Sequence, residues 1–341
     1  MIPRLQISFS HRNQFTYWFG KLYVPKENEY LLNHARSGIV LALRSSLPNG
    51  GRVGVMAYNC DTVANAILNA NCEPIFVDVT EDLHIDINSL KDKNLDAIVV
   101  SNLFGIHNDI NKISALYPNL IIIVDNAHGY GLPIEGDFTV YSIDQGKFPS
   151  IGTGGILFVN NGKYNKTIQE LYSEIPSYTF LQQFILFCKM IVNALLHLPL
   201  VYGIVTIRLK SNRKVRNSKE VVVIKRMPNG ISKIYNKVMP KISALIERRK
   251  SNADHISLSV KEEFSDVSLL CGMNAFMLVA KLNETNKLKK RLADKGIESA
   301  THFSNAIVWA KQFGYEDGSC PTAERLTKEL LMIPTYRRIK L

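Results

Sequence analysis

From residue 53 to residue 160 the sequence alternates short apolar runs with segments long enough for a helix, and this alternation limits the fold more than any other feature. The runs are 53–57, 74–79, 97–101, 120–125, 139–142 and 155–159. Runs that are apolar throughout suit strands buried on both faces, and helix-length links suit crossovers. The pattern therefore predicts an α/β fold with a mostly parallel sheet covered by helices. Such sheets bind ligands beyond the carboxyl ends of their strands. Asn102, Asp125 and Ser142 all stand at ends of runs, which points to a single crevice.

The 341 residues, 46% of them hydrophobic, allow a large unit over 1–230 and a smaller C-terminal α/β unit over 231–341. Residues 163–175 read as a helix. Residues 180–198 are nearly all apolar, with Lys189 as their one formal charge and Pro199 following. Their length is borderline for a membrane span, but Gln182, Gln183, Asn193 and His197 recur among them. A buried or interface helix is the first expectation and a membrane-surface helix the second.

The formal charge of +11 is concentrated: 208–226 holds eight Lys/Arg against Glu220 alone, a net of +7. Basicity confined to one stretch does not suggest nucleic acid. It suits a phosphate-facing loop, a solvated face or, over 178–226 as a whole, a peripheral membrane contact. Farther on, 232–253 reads as an amphipathic helix, 267–282 as an apolar strand, 287–295 as a charged helix capped by Gly296, and 320–331 as a last helix. Five cysteines without a CxxC pair, and an N-terminus without a signal peptide's apolar stretch, lead us to expect a reducing cytoplasm. No His, Cys and carboxylate set has metal-ligand spacing.

Lys147 carries the chemical argument. It stands between Gly146 and Phe148-Pro149, outside any regular helix, 22 residues after Asp125 and shortly before Gly152-Thr153-Gly154-Gly155. A lysine can hold an aldehyde cofactor as a Schiff base, and an aspartate can keep a pyridine nitrogen protonated. A small hydroxyl such as that of Ser142 can hold a phosphate, and so can the backbone where Gly38-Ile39 opens an apolar helix. His128, three residues after Asp125, can lie against a cofactor ring. Each residue has an ordinary alternative: a strand-end aspartate caps a helix, a loop histidine bonds backbone, a lysine sits in solvent, a glycine cluster makes a turn. Together they suggest a pyridoxal phosphate site. A GxGxxG fingerprint and a GxxxxGK[ST] loop are both missing, which counts against nucleotide cofactors and ATP.

The residues resemble the DegT/DnrJ/EryC1/StrS family of pyridoxal phosphate aminotransferases. Matches run from Arg36-Ser37-Gly38 through Tyr58-Asn59-Cys60, Asn102-Leu103-Phe104-Gly105, Val124-Asp125-Asn126-Ala127-His128-Gly129 and the 142–155 block to Arg226-Met227, His302-Phe303 and Cys320-Pro321-Thr322-Ala323-Glu324. The resemblance implies a fold type I, aspartate aminotransferase-like architecture, as a homodimer with shared active sites. It implies pyridoxal 5'-phosphate as cofactor, glutamate or glutamine as amino donor, and a nucleotide-linked keto-sugar as acceptor in surface polysaccharide or secondary-metabolite biosynthesis. By position Lys147 is then the Schiff-base lysine, Asp125 the pyridinium partner and His128 the residue against the ring. Ser142, Gly38 and Ile39 hold the phosphate, and Cys60 takes the place of the usual stacking aromatic. Ile39, Asp144, Thr153 and Ile224 also depart from the family pattern, mostly around the phosphate. A sugar dehydratase would carry histidine at the lysine position, and a degenerate cofactor-binding scaffold would bind without turnover.

Overall fold

A computed structural model describes residues 17–196, 218–282, 285–297 and 299–336. The first half runs β1 (Glu29–Leu32), α1 (Ala35–Ser46), β2 (Arg52–Met56), α2 (Asp61–Asn69), β3 (Glu73–Val77), β4 (Ala97–Ser101), α3 (Ile110–Leu116), β5 (Ile121–Asn126), β6 (Phe138–Ser142) and β7 (Gly155–Val159). These strands form one seven-stranded sheet in the order β1-β7-β6-β5-β4-β2-β3. All six runs became strands. β4 and β5 are rich in Ile and Val because the sheet is covered on both sides, and every residue of β4 is buried.

Strands β3, β2, β4, β5 and β6 run parallel, whereas β7 pairs antiparallel with both β6 and β1. The carboxyl ends of the parallel strands therefore share one edge with Gly155, where β7 begins, and with the start of α1. Gly38 lies within the first turns of α1, not in a turn before it. Its lack of a side chain serves packing: a Cβ there would lie 2.9 Å from Val140 Cγ1 and 3.4 Å from Leu157 Cβ. The helix settles against β6 and β7, and its free amides are those of residues 35 and 36, since the Ser37 amide donates to the His34 carbonyl at 3.1 Å.

The chain continues with α4 (Asn165–Ser173), α5 (Phe180–Leu196), α6 (Asn229–Val238), α7 (Ile242–Glu263), β8 (Ser268–Cys271), β9 (Met277–Lys281), α8 (Thr285–Asp294), α9 (Ala306–Lys311), α10 (Pro321–Glu329) and β10 (Leu330–Pro334). The last three strands form a separate antiparallel sheet in the order β10-β9-β8. A second, smaller apolar core packs beneath it around Ile256, Val260, Leu288, Leu292 and Leu331. The 230/231 border falls inside α6, whose Ile231, Ile234 and Tyr235 join the larger core.

Four expectations are corrected. The helix over 232–253 is two helices, because Pro240 forms a tight turn at Met239–Lys241. The strand over 267–282 is a hairpin, turning where Gly272 packs against the backbone of Phe104 and Gly105 so closely that a Cβ would lie 2.2 Å from Gly105 C. The last helix stops at Glu329, and Leu330 and Leu331 turn extended to join β10. The apolar stretch is not a buried helix, since no residue of α5 is fully buried. Residues 197–198, and 208–217 of the basic stretch, lie outside the described residues. Among the described residues no helix is long and apolar enough to cross a membrane.

Candidate active site

At the carboxyl edge of the sheet, Asp125 near the end of β5 is buried and accepts two hydrogen bonds: 3.0 Å from Ser101 Oγ, at the end of β4, and 2.9 Å from the Ala127 amide. Asn59 in turn donates to Ser101 Oγ at 2.9 Å. Burial raises the Asp125 carboxyl above its ordinary range, against the pull of those hydrogen bonds and of the Lys147 charge. Among the described residues no cation forms an ion pair with it. A buried carboxylate held in place without a counter-ion suits a cationic ring nitrogen.

Lys147 reaches this point from the loop after β6. Its Nζ lies 2.8 Å from His128 Nε2, and both residues line a cleft with Asp125, Asn59, Cys60 and Phe303. The cleft's free space, solvent mouth included, is about 300 Å³. His128 is buried among Phe104, Phe276 and Phe303, the last stacked at 5.7 Å between ring centres. Burial, then the charge of Lys147, keep its pKa well below the ordinary range, so the ring is neutral. The Phe104 amide lies 3.3 Å from Nδ1, and Nε2 faces the lysine amine.

The phosphate end is built differently. Ser142 is buried, and its Oγ accepts a 3.3 Å bond from the Asp144 amide. Among the described residues its own proton has no acceptor, so it is available to an anion. Asp144 stands two residues on, yet its carboxylate is turned away and occupied, 3.0 Å from His34 Nδ1 and 2.8 Å from the Gly154 amide. His34 caps α1, so this contact ties the helix start to the lysine loop. Thr153 adds a 2.7 Å bond from its Oγ1 to the Asn33 carbonyl. Gly38 and Ile39 lie in the same helix, beyond its free amides.

Cys60 caps α2 at the cleft wall, held by a bond from Thr62 Oγ1 at 3.1 Å. Burial pushes its thiol up, opposed by the Lys147 charge. It presents no aromatic face, and the aromatic side chain lining the cleft is Phe303.

The structure thus gathers Lys147, Asp125, His128 and Cys60 in one cleft, with Ser142 and the start of α1 on the same edge of the sheet. Sequence reasoning missed the supports. Asn274 donates to the carbonyls of His128 at 2.9 Å and Tyr130 at 3.1 Å, and so holds the histidine loop from the hairpin turn. Its signal was a polar break inside an apolar run. His302 keeps a buried Nδ1 without a partner among the described residues, and burial, then the Lys147 charge, lower its pKa to about 4. The pair His302-Phe303 was visible only as a matched fragment.

Pyridoxal phosphate needs an amine, an acid for its ring nitrogen and donors for its phosphate, and Lys147, Asp125, and Ser142 with the α1 amides supply that set. Among the described residues no group of His, Cys, Asp and Glu is arranged to hold a metal ion.

Residues 21–341 match the model of the DegT/DnrJ/EryC1/StrS aminotransferase family. A Methanocaldococcus jannaschii protein is 22% identical, across 93% of this chain and 83% of its own length. The sugar aminotransferase CalS13 from Micromonospora echinospora superposes with a TM-score of 0.67 at 17% identity, covering 98% of this chain and 95% of that one. The Escherichia coli GDP-4-keto-6-deoxy-D-mannose-3-dehydratase, solved with hydrated pyridoxal phosphate, gives 0.66 at 17% identity, covering 96% and 87%. At such identities the structures bear on the fold alone, and they share it. The chain belongs to the DegT/DnrJ/EryC1/StrS aminotransferase family, which bears out the expected fold type I, pyridoxal phosphate-dependent aminotransferase.

Proposed function

We propose that the protein transfers an amino group from glutamate or glutamine to a nucleotide-linked keto-sugar, in the making of a surface polysaccharide or a secondary metabolite. The observation that carries this reading is Lys147 Nζ, 2.8 Å from a neutral, buried His128 in the cleft that holds Asp125. Pyridoxal phosphate, when bound, supplies the electron sink that an amine cannot provide by itself. Lys147 Nζ takes a proton from the α-carbon of the donor and returns one to the former carbonyl carbon of the acceptor. His128, being neutral, adds no second charge beside that amine and fixes its position. The Asp125 carboxylate, oriented by Ser101 and the Ala127 amide, holds a proton on the ring nitrogen. Ser142 Oγ and the first amides of α1 bind the phosphate.

Family membership and the sugar aminotransferase among the structural relatives support the substrate class. The lysine itself weighs against a dehydratase, which would carry histidine there. The family resemblance further supports a homodimer with shared active sites, which light scattering would test. With nitrogen-labelled glutamate, pyridoxal phosphate and a panel of nucleotide-linked keto-sugars, label is expected in an amino-sugar product. Loss of the sugar's hydroxyl without incorporation of label would replace transfer with dehydration.

A further inference from the structure

We propose that α5 docks the enzyme on an anionic lipid surface, with the lysine loop on its inner side. One face of the helix rests on the molecule. Phe187 packs on Trp18, Leu186 and Met190 lie against the large core, and Asn193 accepts a 3.2 Å bond from Gln145, two residues before Lys147. Met190 also closes over Gly152, where a Cβ would lie 3.6 Å from its Cε. The other face is apolar and open to solvent: Phe180 is 88% exposed, Leu181 64% and Phe184 55%, and Ile185, Val192 and Leu195 continue the stripe. Phe19, also exposed, meets Phe187 and widens the patch. Single exposed apolar residues are ordinary, but a continuous stripe along a helix marks a contact surface.

Charge selects the occupant. The described stretch 175–196, which holds α5, carries no carboxylate. Lys189 lies on α5 itself, and Lys225 reaches the helix through a 3.0 Å bond to Gln182 Oε1. An apolar helix face with basic neighbours and no acid is the composition of a helix that lies in the interface of an anionic bilayer. A second copy of the same surface would set like charges against each other. Because α5 touches both Gln145 and Gly152, docking would place the catalytic cleft beside the lipid headgroups, independently of which sugar it uses.

The test is co-sedimentation of the full-length protein with phosphatidylcholine vesicles, with and without about one third phosphatidylglycerol. Binding is expected only to the anionic vesicles and should weaken as salt rises, because the attraction is screened. Phe180→Ser, Leu181→Ser and Phe184→Ser together should lower affinity about tenfold or more. Lys189→Glu with Lys225→Glu should do likewise. Phe180, Leu181, Phe184 and Lys189 are exposed and Lys225 is half-buried, and unchanged melting curves would show that the variants stay folded. No binding to anionic vesicles at low salt would overturn the proposal, and so would binding that the serine variant retains. Light scattering showing that the serine variant dissociates an assembly, without any vesicle binding, would make the face a subunit contact and overturn it equally.

Discussion

The two ends of the cofactor cleft differ in how they are made. At the ring end a lysine, an aspartate and a histidine keep the chemistry expected of the family, and each is fixed by short bonds from neighbouring strands and loops. At the phosphate end Ile39 brings no hydroxyl, and an acid, Asp144, stands near the serine. The oxygens of that acid are occupied by His34 Nδ1 and the Gly154 amide. The reaction constrains the ring end residue by residue. The phosphate end can be rebuilt, provided that backbone amides and one hydroxyl remain.

Lys147→Ala should have the largest effect, because the group that moves the proton is lost. Transfer of labelled nitrogen is expected to fall by about ten-thousandfold or more. A residual rate near a tenth of the original would break the assignment of the ring end.

Asp125→Asn should lower transfer about a thousandfold, equivalent to about 4 kcal/mol in the barrier. The same change should leave the melting temperature of the unliganded protein unchanged or raised. The sign follows from the raised carboxyl: at pH values where the unfolded chain is ionised, folding buries a charge, and the amide avoids that cost. A large loss of stability would mean that Asp125 is primarily a structural residue.

Asp144→Asn sharpens the comparison at the other end. If the carboxylate braces His34 and Gly154, cofactor affinity measured by equilibrium titration should weaken about tenfold, as for the loss of one charge-assisted hydrogen bond. Tighter binding would show instead that the acid repels the phosphate.

Acid should weaken the whole cleft. His302 and His128 are held neutral by burial, so the unfolded chain binds more protons once the pH falls below about 6.5. Their contribution is fully present above that value and is lost as the pH falls toward about 4 for His302. Urea midpoints should drop across this window, and His302→Asn should flatten the dependence of stability on pH by on the order of 1 kcal/mol per pH unit. An unchanged slope would mean that the imidazole is already solvated. Smallest of all, Cys60→Ser should change turnover by less than about threefold, since the thiol is raised by burial and has no assigned role in the reaction.

The large sheet was legible because its strands are buried on both faces, which writes them as unbroken apolar runs. β1 was missed because it is four residues long and precedes the alternation, and its pairing with β7 depends on distant residues. The hairpin of the smaller unit was read as one strand, since its turn, closed by the Ala275 amide on the Gly272 carbonyl at 2.9 Å, spans only four residues inside an otherwise apolar run. In the site, Lys147, Asp125 and His128 were readable from residue type and position. Asn274 and His302 were not, because their roles arise where the smaller unit closes over the large sheet. The brace between His34 and Asp144 links residues 110 positions apart, a contact that no local pattern encodes.

The most direct measurement is the absorption spectrum of the purified protein with pyridoxal phosphate, before and after glutamate or glutamine, beside Lys147→Ala. A visible band that requires Lys147 and fades when the amino donor is added is expected. A band of equal strength in the alanine variant, or no band in the unaltered protein, would contradict this expectation.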